Sequence, residues 1–512
     1  MWDFYLNSVF PLVILLLFSL LFLFFYYIKY LARAFAKIRT RAWIVAILLL
    51  FLGFAVRMVV PHHHLLYIDE PWHMEAAKNM LQKGQPLLCE YIDFDKTNCY
   101  EYPKSIGWPV LIAIDFRIFG VDNWNAIALS VTLGSLSVFL VFLLAYLLLD
   151  SEGAALTAAF ITALWPLHIT WSATAETVVP SLFFVLLALV LLCVYFRTSE
   201  NIVLLLASLA LAITIQMRVE NILALPLITL LFACKGFKKD MLRRNLWLAL
   251  SPMVIGLLLY IPQLNLAVKS NNEIYKQAYF SAEQIAQNIG FGVRIVTLDT
   301  GFWLGLLVTG IALLGFFFLL RDNKRVALFL AAWFLLFFGF YLSFVRMQAR
   351  MLMLPIISLV LLLGYFLHYV RRKSLATAVM MHVFLIFVLV FGILAIPEMP
   401  AYTLETRIPK IAQKIVPKDC YIIAEWPTVL MSTTDLRVVS TRNVMKPKVV
   451  ENLINTACVL YFEDGYCLRN AISEPQGSQQ RCLEIHSRYN LSEYARFKES
   501  NVTYTFYRMY KR

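Results

Sequence analysis

Two adjacent carboxylates, Asp69 and Glu70, open the segment Asp69-Glu70-Pro71-Trp72-His73-Met74-Glu75, which follows an apolar run. A carboxylate held within hydrogen-bond reach of a hydroxyl can take its proton, the work of a general base. The same pair also suits a plainer task. Acids favour the first turn of a helix, Pro71 suits its first position and Gly84 its stop. The two roles are compatible, because a carboxylate fixed at a helix start stays open on one side. Farther along, Tyr100-Glu101-Tyr102-Pro103-Lys104 sets an acid three residues from a cation, and a short apolar run to Gly120 follows. That run is too short to span a bilayer and suits a helix lying in the interface, with Trp108 and Phe116 at headgroup level.

Further ionisable groups stand at the ends of apolar runs: Glu176 in Ala173-Thr-Ala-Glu-Thr, the Arg218-Val-Glu220 triplet, and Arg350 before Met-Leu-Met-Leu-Pro355. Charges so close to hydrocarbon are costly and tend to be functional. The structural alternative for the arginines is snorkelling to headgroups, or pairing of Arg218 with Glu220. His62, His63, His64 and His73 surround the acidic pair and raise the question of a metal. Consecutive histidines point in different directions, and contacts with headgroups explain them equally well. A hard divalent cation such as Mg²⁺ or Mn²⁺ would take Asp69 and Glu176 as oxygen ligands, with His73 as a further candidate. The residues require no cofactor beyond that possible cation.

The elements that must position these groups are membrane helices. The chain has 512 residues, 61% hydrophobic and only 15% charged, with a mean hydropathy of +0.71; soluble domains are about 45–50% apolar. Apolar runs recur from residue 9 to residue 396, and the pattern predicts about twelve spans of roughly 20 residues each. The net charge of +13 does not point to nucleic acid. Its Lys and Arg cluster between alternate spans, around Arg33–Arg41, Arg197, Lys235–Arg244, Arg321–Arg325 and Arg371–Lys373. By the positive-inside rule those loops are cytoplasmic, and the stretch 61–122, Glu176, Arg218, Arg350 and everything after Pro397 face outward. The first run lacks a basic leader and a cleavage site and reads as a retained helix.

The expected division is an N-terminal span with its basic loop (1–42), a membrane domain (43–396) with a long first external loop (61–122), and a small extracytoplasmic α/β domain (397–512) whose short apolar runs include Tyr421–Ala424, Cys458–Phe462 and Val502–Tyr507. Six cysteines lie in the external segments: Cys89 and Cys99, and Cys467 and Cys482, are the nearest pairs, though spacing alone does not decide connectivity.

The order and sidedness of these motifs resemble the lipid-linked-sugar glycosyltransferases of the GT-C fold, in the family of the protein O-mannosyltransferases and the aminoarabinose transferases of lipid A. Asp69-Glu70 matches the acidic motif of their first external loop, and Tyr100-Glu101-Tyr102-Pro103-Lys104 is similar to an aromatic-Glu-Lys-Pro-Pro segment with the lysine displaced. Glu176, Arg218-Val-Glu220 and Arg350-Met-Leu-Met-Leu-Pro355 match later positions, the last with Met351 where relatives have tyrosine. The likeness runs from about Tyr67 to Gly364. It implies a membrane catalytic domain and a polyprenyl-phosphate (dolichyl or undecaprenyl type) sugar donor. It implies an inverting transfer to a glycan, protein or lipid acceptor. Asp69 would be the base with Glu70 beside it, and Glu101, Lys104, Glu176, Arg218, Glu220 and Arg350 would serve the substrate and its phosphate. A multi-span transporter or lipid flippase is the alternative, since many spans with buried charge would suit one; ionisable groups gathered at one end of the spans favour surface chemistry.

Overall fold

The structure, a computed structural model, describes residues 2–60, 64–65, 69–93, 96–235, 246–270, 282–295, 302–343, 347–395, 404–405, 407–441, 447–463, 475–499 and 502–512. The chain forms two compact units. One holds residues 1–61, 103–108 and 127–400; the other holds residues 62–102, 109–126 and 401–512.

The first unit is helical, since in hydrocarbon every backbone N–H and C=O must be satisfied within its own segment. Its helices begin with α1 (Trp2–Tyr26), α2 (Ile28–Ala34) and α3 (Thr40–Val59). After the excursion through the other unit, in which α4 (Asp69–Lys83), α5 (Gly107–Phe119) and the start of α6 (Asn123–Leu149) occur, come α7 (Glu152–Leu164), α8 (Pro166–Ser172), α9 (Val178–Thr198), α10 (Asn201–Met217), α11 (Ala224–Lys235) and α12 (Leu246–Ser270). Four long apolar helices follow: Phe302–Asp322, Lys324–Leu342, Met353–Lys373 and Leu375–Ala395. Among the described residues seven helices are long and apolar enough to span a membrane, or up to nine if α1 with α2 and α7 with α8 each count as one bent span. Two shorter apolar helices, at 201–217 and 250–265, add to these. The chain is an integral membrane protein. Small residues bring its helices together: a Cβ on Gly256 would lie 2.8 Å from the Ala212 Cα, and one on Gly364 would lie 2.8 Å from the Ala154 carbonyl.

The α7–α8 span is bent by 56°. Pro166 has no N–H to offer the Thr162 carbonyl, so the break frees backbone acceptors. Arg57, fully buried in the last turn of α3, fills them. Its Nη1 donates to the Gly53 and Ala163 carbonyls at 2.7 and 3.1 Å, its Nη2 to the Thr162 carbonyl at 3.3 Å, and its Nε to Ser172 Oγ at 3.2 Å. His168 Nδ1 lies against the same guanidinium.

The second unit is built on a seven-stranded sheet of order β3-β2-β6-β5-β7-β9-β8, where β2 is Leu87–Asp93, β3 Lys96–Glu101, β5 Cys420–Ala424, β6 Arg437–Ser440, β7 Cys458–Glu463, β8 Tyr489–Glu499 and β9 Val502–Lys511. A further two-stranded ladder pairs β1 (His64–Leu65) with β4 (Leu404–Glu405). The centre, β6-β5-β7, is parallel, and β2 joins β6 in parallel at Tyr91 and Val439. The strands expected near residues 421, 458 and 502 are present, but the sheet also takes in the β2–β3 hairpin from the first long loop. Both faces are covered, as parallel strands require. Ile422, Val438, Leu460 and Phe506 pack on one side, and Tyr421, Ile423, Val439 and Tyr461 on the other.

Cys89 with Cys99 and Cys420 with Cys458 form disulfides. The first is the nearest pair read from the sequence. The second joins residues 38 apart that the β5–β7 register sets opposite each other. Cys482 is also disulfide-bonded, while Cys467 lies outside the described residues.

Candidate active site

The candidate residues fall in both units. In the second unit, α4 begins at Asp69 and stops at Lys83, where Gly84 takes φ +73°, a left-handed stop suited to glycine. Asp69 and Glu70 therefore occupy the first turn, both buried, with Pro71 just behind them. The helix is held along its length. Glu75 Oε1 accepts from the Cys89 N–H at 2.7 Å, and Asn79 Nδ2 donates to the Leu87 carbonyl at 2.7 Å. Lys78 Nζ reaches the Met431 carbonyl at 3.3 Å, the Thr434 carbonyl and Asp435 Oδ1 at 3.0 Å. One helical turn beyond Asp69, on the same face, buried His73 meets the hydroxyl of buried Tyr102 through Nδ1. Tyr102 in turn donates its N–H to the Pro86 carbonyl at 3.0 Å, and Glu101 ends β3 opposite Leu87. The helix that carries the acidic pair is thus tied to the Tyr-Glu-Tyr segment through His73, a candidate metal ligand.

In the first unit the remaining candidates converge. Arg350 Nη1 sits 2.6 Å from Glu176 Oε1, and its Nε donates to Gln348 Oε1 at 2.6 Å. Glu176 is 1% exposed, and its other oxygen accepts the Thr177 N–H at 2.9 Å. Arg218 grips Glu220 with two nitrogens, Nη2 to Oε1 at 3.2 Å and Nε to Oε2 at 3.4 Å. Arg218 lies within electrostatic reach of both Arg350 and Glu176, so the two pairs form one charged cluster. Two arginines and two glutamates balance formally.

The segment 103–108, which carries partly buried Lys104, is wedged beside this cluster. Trp108 Nε1 donates to the Ala175 carbonyl at 2.7 Å, next to Glu176. Gly107 lies so close to α10 that a Cβ would stand 2.7 Å from the Gln216 carbonyl, two residues before Arg218. Trp108 and Phe116, expected at headgroup level, are instead both buried, Trp108 fully and as an anchor. The residues beyond it on α5 that are exposed are Arg117, Ile118 and Phe119, the last turn of the helix.

Among the described residues no three His, Cys, Asp or Glu side chains come together as a metal-binding group. His62 and His63 lie outside those residues. Asp69 and His73 belong to the second unit, and Glu176 to the first. Sequence reading missed Arg57 and Gln348. A lone arginine inside an apolar run was a visible signal for the first; Gln348 carried none.

The chain has the GT-C fold of membrane glycosyltransferases. It is similar over 90% of its length to 97% of ArnT from Cupriavidus metallidurans in the apo state, with a TM-score of 0.58 at 12% identity. The same protein bound to undecaprenyl phosphate matches at 0.57 and 13% identity, over 91% of this chain and 98% of that one. The archaeal oligosaccharyltransferase AglB from Archaeoglobus fulgidus, in complex with an inhibitory peptide and a dolichol-phosphate, matches at 0.55 and 12% identity, over 92% and 74%. Residues 103–265 match the family model of the dolichyl-phosphate-mannose-protein mannosyltransferases. No curated protein matches the sequence significantly. The resemblance read from the motifs is therefore borne out by the match over residues 103–265 and by the fold. The family match takes in Lys104, Glu176, Arg218 and Glu220, and leaves Asp69 before it and Arg350 after it.

Proposed function

We propose that this protein transfers a sugar from a polyprenyl-phosphate donor to an acceptor on the extracytoplasmic face of the cell membrane, by a single displacement with inversion. The observation that carries this reading is the cluster of Arg218, Glu220, Glu176 and Arg350 at the ends of membrane helices. It offers two guanidinium forks where a lipid-borne phosphate would arrive. The acceptor hydroxyl attacks the anomeric carbon while the bond from that carbon to the phosphate oxygen breaks. The electron pair leaves with the polyprenyl phosphate, and the hydroxyl proton passes to Asp69. Arg218, Arg350 and Lys104 stabilise the charge that grows on the departing phosphate. Glu176 and Glu220 hold the arginines aimed before substrate binds, Glu70 tunes its neighbouring acid, and Glu101 lines the substrate. A divalent cation is not needed in any of these steps; Asp69, Glu176 and His73 remain its candidate ligands, and chelation during the assay tests them.

The sugar and the acceptor are read by experiment. Purified protein is incubated with a panel of polyprenyl-phosphate sugars, and loss of each lipid-linked sugar is followed by mass spectrometry. Consumption of at least one donor is expected. Movement of intact donor across a vesicle bilayer without its consumption would sink the enzymatic reading in favour of a flippase.

A further inference from the structure

The two ion pairs of the first unit are carried by different segments, one at the start of α9 and one just after α10, and a buried side-chain brace joins those segments. At Met217 α10 ends, and Arg218 turns to an extended backbone with φ −148° and ψ 147°. The Thr214 carbonyl consequently has no helical N–H four residues on. Asn221 supplies the missing donor: its Nδ2 reaches the Thr214 carbonyl at 2.6 Å, closing the loop that contains Arg218 and Glu220. The Asn221 Oδ1 faces the other way and accepts from Ser181 Oγ on α9 at 2.9 Å. Ser181 lies one turn into α9, and its N–H donates to the Thr177 carbonyl beside Glu176. Both side chains are 1% exposed. A second tie holds the same loop from α12, where the Tyr260 hydroxyl donates to the Val219 carbonyl at 2.8 Å.

We infer that Ser181 and Asn221 are positioning residues that set the spacing between the Glu176–Arg350 pair and the Arg218–Glu220 pair, and so the geometry in which two arginines meet one phosphate. The inference rests on the phosphate-binding reading of that cluster. A neutral pair is the suitable device there, because a third charge would compete with the phosphate for the arginines. A buried hydroxyl–amide–carbonyl chain is also directional, so it fixes the relative turn of α9 and of the 218–223 segment where apolar packing alone would allow sliding.

The test uses the full chain in lipid nanodiscs with a polyprenyl-phosphate sugar found to be consumed. Ser181→Ala and Asn221→Ala are each expected to raise the donor KM about tenfold, since misplacing a binding group by a fraction of an ångström is enough. The acceptor KM should stay within about twofold, and kcat should fall as well, since the same arginines stabilise the charge that grows on the departing phosphate. Ser181→Thr, which keeps the hydroxyl, should return the donor KM toward the wild-type value. Hydrogen exchange supplies a readout independent of activity: either alanine variant should speed exchange in both the 174–178 and 218–223 segments. An unchanged donor KM in both variants, or faster exchange only around the substituted residue, overturns the inference. A wild-type protein that consumes no donor defeats the proposed function, and the paired exchange response then still decides whether the brace couples the two segments.

Discussion

At the scale of single residues, the acids carry distinct expectations. Asp69→Asn keeps the size of the side chain and an oxygen at the helix start but cannot accept a proton near neutral pH. Transfer should fall by about 10²–10⁴-fold with the fold intact. Glu70→Gln should lose less, as expected of a neighbouring acid that only tunes or orients the base. Steady-state rates and a melting curve for each variant decide the matter. Wild-type rates from a well-folded Asp69→Asn protein would move the role of base to Glu70, Glu101 or Glu176. Asp115 on α5 raises a different question. Its Oδ2 is buried with no hydrogen-bond partner among the described residues, and burial pushes its carboxyl up from 3.8 to about 6. The folded state therefore holds this proton more tightly than the unfolded chain, so its contribution favours folding at low pH and is lost as pH rises from 3.8 through about 6. The Tm of wild type relative to Asp115→Asn should decline across that window and stay level above it. A difference that does not vary with pH would remove Asp115 as the source.

At the scale of elements, the bent α7–α8 span depends on a donor from another helix. Arg57 brings a cation into the membrane unit and has no ion pair there among the described residues; its partners are carbonyls, a hydroxyl and an imidazole. Arg57→Met would leave the Thr162 and Ala163 carbonyls without this donor, and each orphaned acceptor costs roughly 1–3 kcal/mol. A loss of about 3 kcal/mol is expected, with a smaller loss for Arg57→Lys, which retains one strong donor. Denaturation in detergent reads both. Equal stability of wild type and Arg57→Met would mean that water replaces the guanidinium at the break. Because the residues after α8 lead directly to Glu176, the same clasp bears on where that acid meets Arg350.

At the scale of the whole molecule, orientation decides on which face the chemistry occurs. Basic residues in alternate loops predict that everything after Pro397 lies outside the cytoplasm. Disulfides at Cys89–Cys99 and Cys420–Cys458 fit an oxidising compartment. A reporter that matures only in the cytoplasm, fused after Arg512, should be silent, and one that matures only outside should be active. The opposite result would reverse the membrane orientation and move every proposed site residue to the inner face.

What the sequence by itself determined were properties that a short window encodes. Uninterrupted apolar runs specify membrane helices, because no other open structure satisfies its backbone in lipid. The acid pair, Pro71 and Gly84 specify α4, and short apolar runs bounded by polar and turn residues specify β5, β7 and β9. The positions of Glu176, Arg218, Glu220 and Arg350 at span ends were legible for the same reason. Tertiary structure decided the pairings between distant segments. Cys420 meets Cys458 only because β5 and β7 are in register. The first loop supplies β2 and β3 to a sheet whose other strands lie more than 300 residues away. Which acid neutralises which arginine, and which serine and asparagine hold the two pairs at their spacing, depends on how helices cross. Crossing is set by packing of small residues such as Gly256 and Gly364 against neighbours that no local pattern identifies.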